Sequence, residues 1–598
     1  MGALGRRQLV VIVSALLMVA LGVGIVGALV AATQSERGRE WIRGRAESLI
    51  ARSMQGKLSL GRLSGSFLTD LTIDSLEIRD AADSVYLAAG PLSVRYDPRD
   101  LVDGRFVFRS VAVRNPLMAV RQDLDGNWNF RSVFPVEEFK GSVNRRPRGA
   151  FGALVLFYDI SVQGGEIRLT QPWHPHDSLT GRRRDSAIAV GLADRSNDIR
   201  PVVLRGRRGF QKTWRWSDMN GEITRLRLRH PDSTGRQLDI ARLDVNETVP
   251  PFDIKKAQGT ATWRGDTIFF DLKRFMLPRS VGSAVGKVEW PQGPMFWDVR
   301  VRSDSVALSD IHWIYAGLPT SGGGSMKLHV KSRRNHEIID YVITDMDVRS
   351  RGSHLRGDMT YGVGGEVLEL RDVKLSLQPA DFTLFETLNQ QKFPYPWNGT
   401  VTGTVHASGG PVNHFQVERA AFVFADRNVP GATAKGTVSG EIDILNPGLA
   451  TFHGTRVELE HFDLRTGQFL NASFPRLNGF VGGTATLDSI WTDVRLRDAD
   501  ITHTDGDEVP ASRFRGSARV TLGDEFVGFD VTVAALPLAA STIAKSYPAV
   551  LLRGEYRGPL RVVGTSADLT LTTDLVGEAG RVQVDGRFDL YEIGRAHV

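Results

Sequence analysis

His174, His176 and Asp177 lie together in Pro172-Trp-His-Pro-His-Asp, and two imidazoles with a carboxylate are zinc-capable ligand types. A proline-rich loop reads first as a polar loop, however, and no metal is assigned to it. Asp123-Leu-Asp125-Gly126-Asn127 begins like a calcium loop. Its glycine comes too early, and Phe134 occupies the twelfth position, where a bidentate glutamate belongs, so a hairpin turn is expected. Gly282-Ser-Ala-Val-Gly286-Lys287-Val288 is one residue short of a phosphate loop and ends in valine instead of Ser or Thr. No Gly-x-Ser-x-Gly elbow occurs. The chain also has no cysteine, which removes thiol nucleophiles, disulfides, iron–sulfur clusters and Cys-ligated zinc. The expectation is a protein that is not an enzyme, with no catalytic residue, no cofactor and no metal. An envelope hydrolase is the rival, and it would need a convergent polar site that the sequence does not display.

The strongest cluster of charge is basic. Arg182, Arg183, Arg184, Arg195, Arg200, Arg205, Arg207, Arg208, Lys212 and Arg215 crowd one stretch, with Trp173, Phe210, Trp214 and Trp216 nearby. Basic residues interleaved with aromatics suit single-stranded nucleic acid in a cytosolic protein. Behind a membrane anchor a lipid phosphate is the expected anion, so nucleic acid is not an expected partner. Arg182, Arg183, Arg184, Arg207 and Arg208 are the candidates for anionic headgroups, against the plainer reading of a solvated insertion or sheet rim. The net charge of +6 is too dilute over 598 residues to add to this.

The anchor is Leu9 to Ala32, without charge and with Ser14 as its one hydroxyl. At 1.5 Å per residue this stretch covers a hydrocarbon core of about 30 Å. A cleaved signal peptide is the alternative, since Val30-Ala31-Ala32 offers small residues, but the apolar run exceeds the usual signal length. Arginines flank both ends. A cytoplasmic amino end, residues 1–8, is favoured because a large body follows, and the positive-inside rule weakens for long domains. Trp41, Ile42, Ala46, Leu49 and Ile50 then recur at helical spacing, predicting an amphipathic helix within 33–55.

From Gly56 onward the pattern has period two, as in Leu226 and Leu228, Val299 and Val301, Leu328 and Val330, Val494 and Leu496, and Leu569 and Leu571. Alternation of this kind implies antiparallel sheet wetted on one face, and these ten residues are the candidates for an apolar groove. Dipeptides such as Asp125-Gly126, Asp505-Gly506 and Asp585-Gly586 are expected to form turns. Long helices are not expected after residue 55. At about 14 residues per strand and turn, 56–591 would hold about 38 strands in a sheet on the order of 180 Å long.

The second half repeats. Pro319, Pro394, Pro475 and Pro548 recur at intervals near 75 residues, the last three after Phe393, Phe474 and Tyr547. A Gly-x-apolar-x-Gly-x-apolar run follows each of these three, beginning at Gly399, Gly479 and Gly554, and Gly322–Gly324 is a degenerate copy after Pro319. Helical spacing precedes some of these prolines, as in Leu308, Ile311 and Leu318. The unit is therefore a short helix, a proline stop and several strands, stacked so that neighbours share apolar faces. A row of closed sandwich domains, making a structural or adhesive array, is the alternative.

Leu71-Thr-Ile73, Leu76-Glu-Ile78-Arg-Asp80, Ala89-Gly90-Pro91-Leu92-Ser-Val94-Arg-Tyr96, Val111-Ala-Val113, Pro116 and Asp125-Gly126-Asn127-Trp128-Asn129-Phe130 resemble the AsmA-like family, and within it the TamB branch of translocation and assembly module subunits. The match covers about Leu60 to Phe130; the rest agrees in style only. The resemblance implies a curled β-groove reaching across the periplasm of a diderm bacterium from an inner-membrane anchor. It further implies phospholipid passage between the membranes, support of outer-membrane protein assembly and secretion, and an Omp85-class barrel partner. The carboxyl-terminal docking domain of that branch has no counterpart before Val598, so truncation is expected. Residues 592–598 read as translated sequencing adapter and are set aside. The fold expected is mainly β: an amino-terminal transmembrane helix, then a long repetitive, curled antiparallel groove with short interspersed helices. The regions are 56–140 resembling the family, 141–305 with the basic insertion, and 306–591 as repeats.

Overall fold

The computed structural model describes residues 35–51, 56–133, 154–193 and 202–589, apart from short stretches within these spans, among them 104, 176–178, 207–208, 291–294, 393–397, 445–451, 471–477 and 547–551. The expected anchor 9–32 and the tail 592–598 lie outside the described residues. No described helix is long and apolar enough to cross a membrane. The chain is mainly β and divides into two compact units, Met1–Val301 and Arg302–Val598. In each, the strands form an open, curled sheet with few short helices.

In the first unit a helix runs Glu36–Ala51, inside the stretch where one is predicted, and Trp41 on it is 70% exposed. Eight short strands follow: β1 (Lys57–Leu60), β2 (Leu63–Ser66), β3 (Asp70–Ile73), β4 (Leu76–Arg79), β5 (Val85–Ala89), β6 (Leu92–Tyr96), β7 (Phe106–Arg114) and β8 (Leu117–Arg121). They are four long strands, each interrupted near its middle. Strands β1, β4, β5 and β8 pair in that order on one side of the interruptions, and β2, β3, β6 and β7 on the other. The interruptions fall at Gly61, Asp74, Gly90-Pro91 and Asn115-Pro116. Asn115 sits at φ 48°, a conformation asparagine tolerates better than most residues.

Both β7 and β8 then pair in parallel with β9 (Val155–Trp173), a departure from the antiparallel expectation. Parallel neighbours need a crossover connection, and the short helix Asn129–Val133 is part of it. That helix closes a true core. Val133 is fully buried against Ile78 and Tyr86, and Trp128 is 1% exposed. A second departure is the helix Gly181–Ala193, which period-two reasoning does not anticipate. Strand β9 pairs antiparallel along its length with β11 (Gly209–Arg229), which also carries β10 (Val202–Gly206) as a short hairpin partner at one end. From β11 the order is an antiparallel meander through β12 (Arg236–Val249), β13 (Ile254–Arg264), β14 (Thr267–Met276) and β15 (Val281–Glu289), with β16 (Phe296–Ala307) lying against β15.

The second unit is a plain meander. Its strands are β17 (Gly323–Ser332), β18 (Ile339–Ser350), β19 (Ser353–Gly364), β20 (Val367–Asp381), β21 (Gly399–Pro411), β22 (Phe415–Asp426), β23 (Thr433–Ile442), β24 (Phe452–Asp463), β25 (Phe480–Ser489), β26 (Asp493–Thr504), β27 (Ser512–Leu522), β28 (Val527–Ala539), β29 (Glu555–Thr565), β30 (Asp568–Gly577) and β31 (Gly580–Phe588). Each pairs antiparallel with the next. A short helix or 3₁₀ turn comes before every fourth strand: Leu308–Ile311, Phe382–Asn389, Leu464–Leu470 and Ala540–Ser546. The repeat is thus one helix and four strands. Pro394, Pro475 and Pro548 lie outside the described residues.

The second glycine of the repeated motif has a steric reason. Gly403, Gly483 and Gly558 adopt φ of 153°, 126° and 154°, and a Cβ there would stand 1.9, 2.1 and 2.1 Å from a carbonyl oxygen of the next strand. Bulges bend the strands. Asp345, Asp372 and Asp498 take φ near 50° where the register slips. Asp585-Gly586, expected as a turn, lies inside β31, where Gly586 faces Leu571. The described residues contain 31 strands, fewer than the expected 38 because many exceed ten residues.

Candidate functional site

Sheet register carries sequence-distant residues onto shared lines. In the second unit Val494, Val520, Phe529, Gly564, Leu569 and Phe588 face one another in turn across β26 to β31. The adjacent line is Leu487, Leu496, Ala518, Val531, Val562, Leu571 and Gly586. Four of the candidates, Val494, Leu496, Leu569 and Leu571, therefore fall on two neighbouring lines of one face. Leu328 and Val330 begin the same kind of line at the other end of the unit, against Ile343 and Tyr341, which in turn face Met359 and Tyr361. In the first unit Phe108, Phe157, Leu226, Leu238, Ala261, Phe270 and Gly286 are in register, and Val299 lies against Gly286. Leu228 and Val301 are half-buried on the strands that carry Leu226 and Val299.

Burial distinguishes this face from a closed interior. In a sandwich the inner rows of both sheets interdigitate and become inaccessible. Here Val494, Leu496, Val531, Val562, Leu571 and Val584 are only half-buried, as are Leu226, Leu238, Phe157 and Phe270. Full burial in the second unit occurs where the short helices meet the strands and also in a packed cluster of Val373, Ala407, Phe415 and Val417 across β20 to β22. Ala540 packs with Ala535, Leu538, Tyr556 and Leu575, and Leu384 of the helix Phe382–Asn389 is 3% exposed. Across β26 to β31 the helix end of the sheet is sealed, while most apolar residues of the two lines stay partly exposed, Leu569 being the buried exception. No charged residue lies on these lines.

The opposite face is charged and laced with ion pairs. Asp493 receives Arg495 and Arg519, and Asp500 receives Arg513 and Arg515, with closest contacts of 2.6 to 2.9 Å. Hydrogen bonds from Arg495 and then Arg519 pull Asp493 down to about 2, and Arg513 does the same for Asp500. Asp340 is shared by Arg333 and Arg371 at 2.7 and 2.8 Å. Alternation places Arg495 and Arg519 one residue away from the apolar lines, so these strands present grease to one side and ion pairs to the other.

Arg182, Arg183 and Arg184 are exposed in the first turn of the helix Gly181–Ala193, which packs at Gly191 against Trp173. Arg205 lies 5.6 Å over Phe210 and Lys212 lies 5.3 Å over Trp214, so the basic and aromatic residues do meet. Arg207, Arg208, His176 and Asp177 lie outside the described residues. Asp123 accepts the amides of Asp125 and Asn127 at 3.0 and 2.8 Å and closes a turn. The phosphate-loop lookalike is extended within β15. A grouping the sequence does not announce is His414, Glu441 and His453, brought together across β22, β23 and β24 and their turns. No family model, curated protein or solved structure matches this chain.

Proposed function

We propose that this chain is an inner-membrane-anchored periplasmic protein that shelters phospholipid acyl chains along an open β-face, in the manner of the AsmA-like and TamB proteins it resembles. The observation that carries the reading is the pair of apolar lines that crosses β26 to β31 in register with most of its residues partly exposed, Leu569 alone among the four candidates there being buried. A lipid tail laid along such lines removes about 0.8 kcal/mol per CH₂ from contact with water, so it can move without full hydration. The anchor rests on the sequence from Leu9 to Ala32. Support of outer-membrane protein assembly with an Omp85-class barrel rests on the resemblance alone. Exposed Arg182, Arg183 and Arg184 would meet headgroup phosphates as charge-assisted donors.

Photo-crosslinking tests this reading. A benzophenone amino acid at Val562 or Leu571 should capture phospholipid in cells, whereas the same probe at the outward Arg561 or Thr572 should not. Equal capture from both rows, or none from either, would refute acyl-chain shelter.

A further inference from the structure

We propose that His414, Glu441 and His453 bind a divalent transition-metal ion of the zinc class on the charged face of the second unit. Their ligand atoms all lie within 4.8 Å of one another. The sheet places them: Glu441 of β23 stands opposite both Gln416 of β22 and His453 of β24, and His414 lies two residues before Gln416. Neighbouring strands are about 4.8 Å apart, so three side chains from adjacent strands can reach a common point above the surface.

The carboxylate is held in a ligating pose. Gln416 donates to its Oε2 at 2.7 Å, leaving Oε1 turned toward both imidazoles, with His414 Nδ1 at 2.6 Å and His453 Nε2 at 4.0 Å. The two rings lie nearly parallel, 5.7 Å apart at 25°. Thr455 Oγ1 donates to the backbone carbonyl of Glu441 and fixes that strand position. The hydrogen bond from His414 holds the Glu441 carboxyl below its usual range, so it is an anion at neutral pH. Tetrahedral zinc with bonds of about 2.0–2.1 Å wants its ligand atoms about 3.4 Å apart, a value between the two measured separations. Small rotations of exposed side chains would close the site.

Two imidazoles with one carboxylate favour zinc, nickel or copper over magnesium or calcium, which prefer oxygen alone. Side-chain exposures of 58% for His414 and 45% for His453 leave room for water on the ion. A neutral His414 ring can ligate through Nδ1 by carrying its proton on Nε2, and the Glu441 carboxylate ligates as the anion. The ion would staple β22, β23 and β24 together, independently of any lipid on the other face.

Calorimetric titration of the untagged, chelator-treated full chain with zinc chloride at pH 7.5 tests the site. The expected result is binding at micromolar concentration, at least tenfold weaker in His414→Ala, His453→Ala and Glu441→Gln, unchanged in His406→Ala, and not competed by millimolar calcium. Cobalt should give a visible absorption band that the same three variants abolish. Thermal melts of the metal-free variants, expected to match the parent, separate lost ligation from lost folding. No zinc binding below 100 µM, or affinity within twofold of the parent in the double variant His414→Ala/His453→Ala, overturns the proposal.

Discussion

Replacing Val562 by aspartate separates an open apolar face from a closed core. Val562 lies in the middle of β29, between Val531 and Leu571, and is half-buried. In a sealed interior the new carboxylate would be stranded, at a cost of several kcal/mol that a domain of this size does not tolerate. On an open face the charge hydrates from the uncovered side, and the loss is limited to the packing of a half-buried valine. Full burial of such a side chain is worth about 1.5–3 kcal/mol, so half of it is about 1 kcal/mol, or about 2–4 °C in melting temperature for a unit this large. A lipid tail would suffer more. Losing shelter for two or three CH₂ groups costs it about 2 kcal/mol, which is roughly thirtyfold in occupancy. The assay pairs scanning calorimetry with mass spectrometry of co-purified phospholipid, using Arg561→Ser on the outward row as control. A fall in melting temperature beyond about 15 °C would refute the open face. Unchanged phospholipid beside a modest shift would refute the shelter.

Four further outcomes are expected. Asp493 has its pKa lowered from 3.8 to about 2, so its ion pairs stabilise the fold fully above about pH 4 and lose that contribution as pH falls toward 2; Asp493→Asn should flatten the acid limb of a stability profile taken by thermal melts, and an unchanged limb would count against the pairing. Ser512 is fully buried, and its Oγ accepts the Ala539 amide at 2.9 Å, so Ser512→Ala should cost about 1–3 kcal/mol in denaturant unfolding by leaving that amide unmet. Gly558→Ala forces a Cβ toward the Asp574 carbonyl, and hydrogen exchange should show faster opening of β29 and β30 with little change in β17 and β18. Trp128→Ala removes the largest fully buried side chain among the described residues of the first unit and should destabilise it by about 3–5 kcal/mol, read as an earlier calorimetric transition.

Much of the second unit is legible in the sequence because its signals are local. Period two in Val494 and Leu496 or Leu569 and Leu571 fixes which side chains share a face, and the glycine repeat marks where strands approach one another closely. Other features needed distant partners. Asp345, Asp372 and Asp498 look like ordinary outward residues of a strand, yet each is a bulge, a role set by slippage against the neighbouring strand. Asp585-Gly586 has turn chemistry, but its pairing with Thr572 and Leu571 holds it extended within β31. The parallel junction at β9 was hidden because a parallel strand pair has no turn between its members to betray it.

The candidate site divides the same way. Sequence by itself determined that each strand has an apolar and a charged side, because alternation is a property of one extended chain. It also determined the repeat of about 75 residues, since periodic signals need no partner to be read. Only tertiary structure decided that the apolar sides align across strands far apart in sequence and remain uncovered, because exposure depends on what else packs there. It alone gathered His414, Glu441 and His453, whose nearness follows from hairpin register, which no spacing along the chain records.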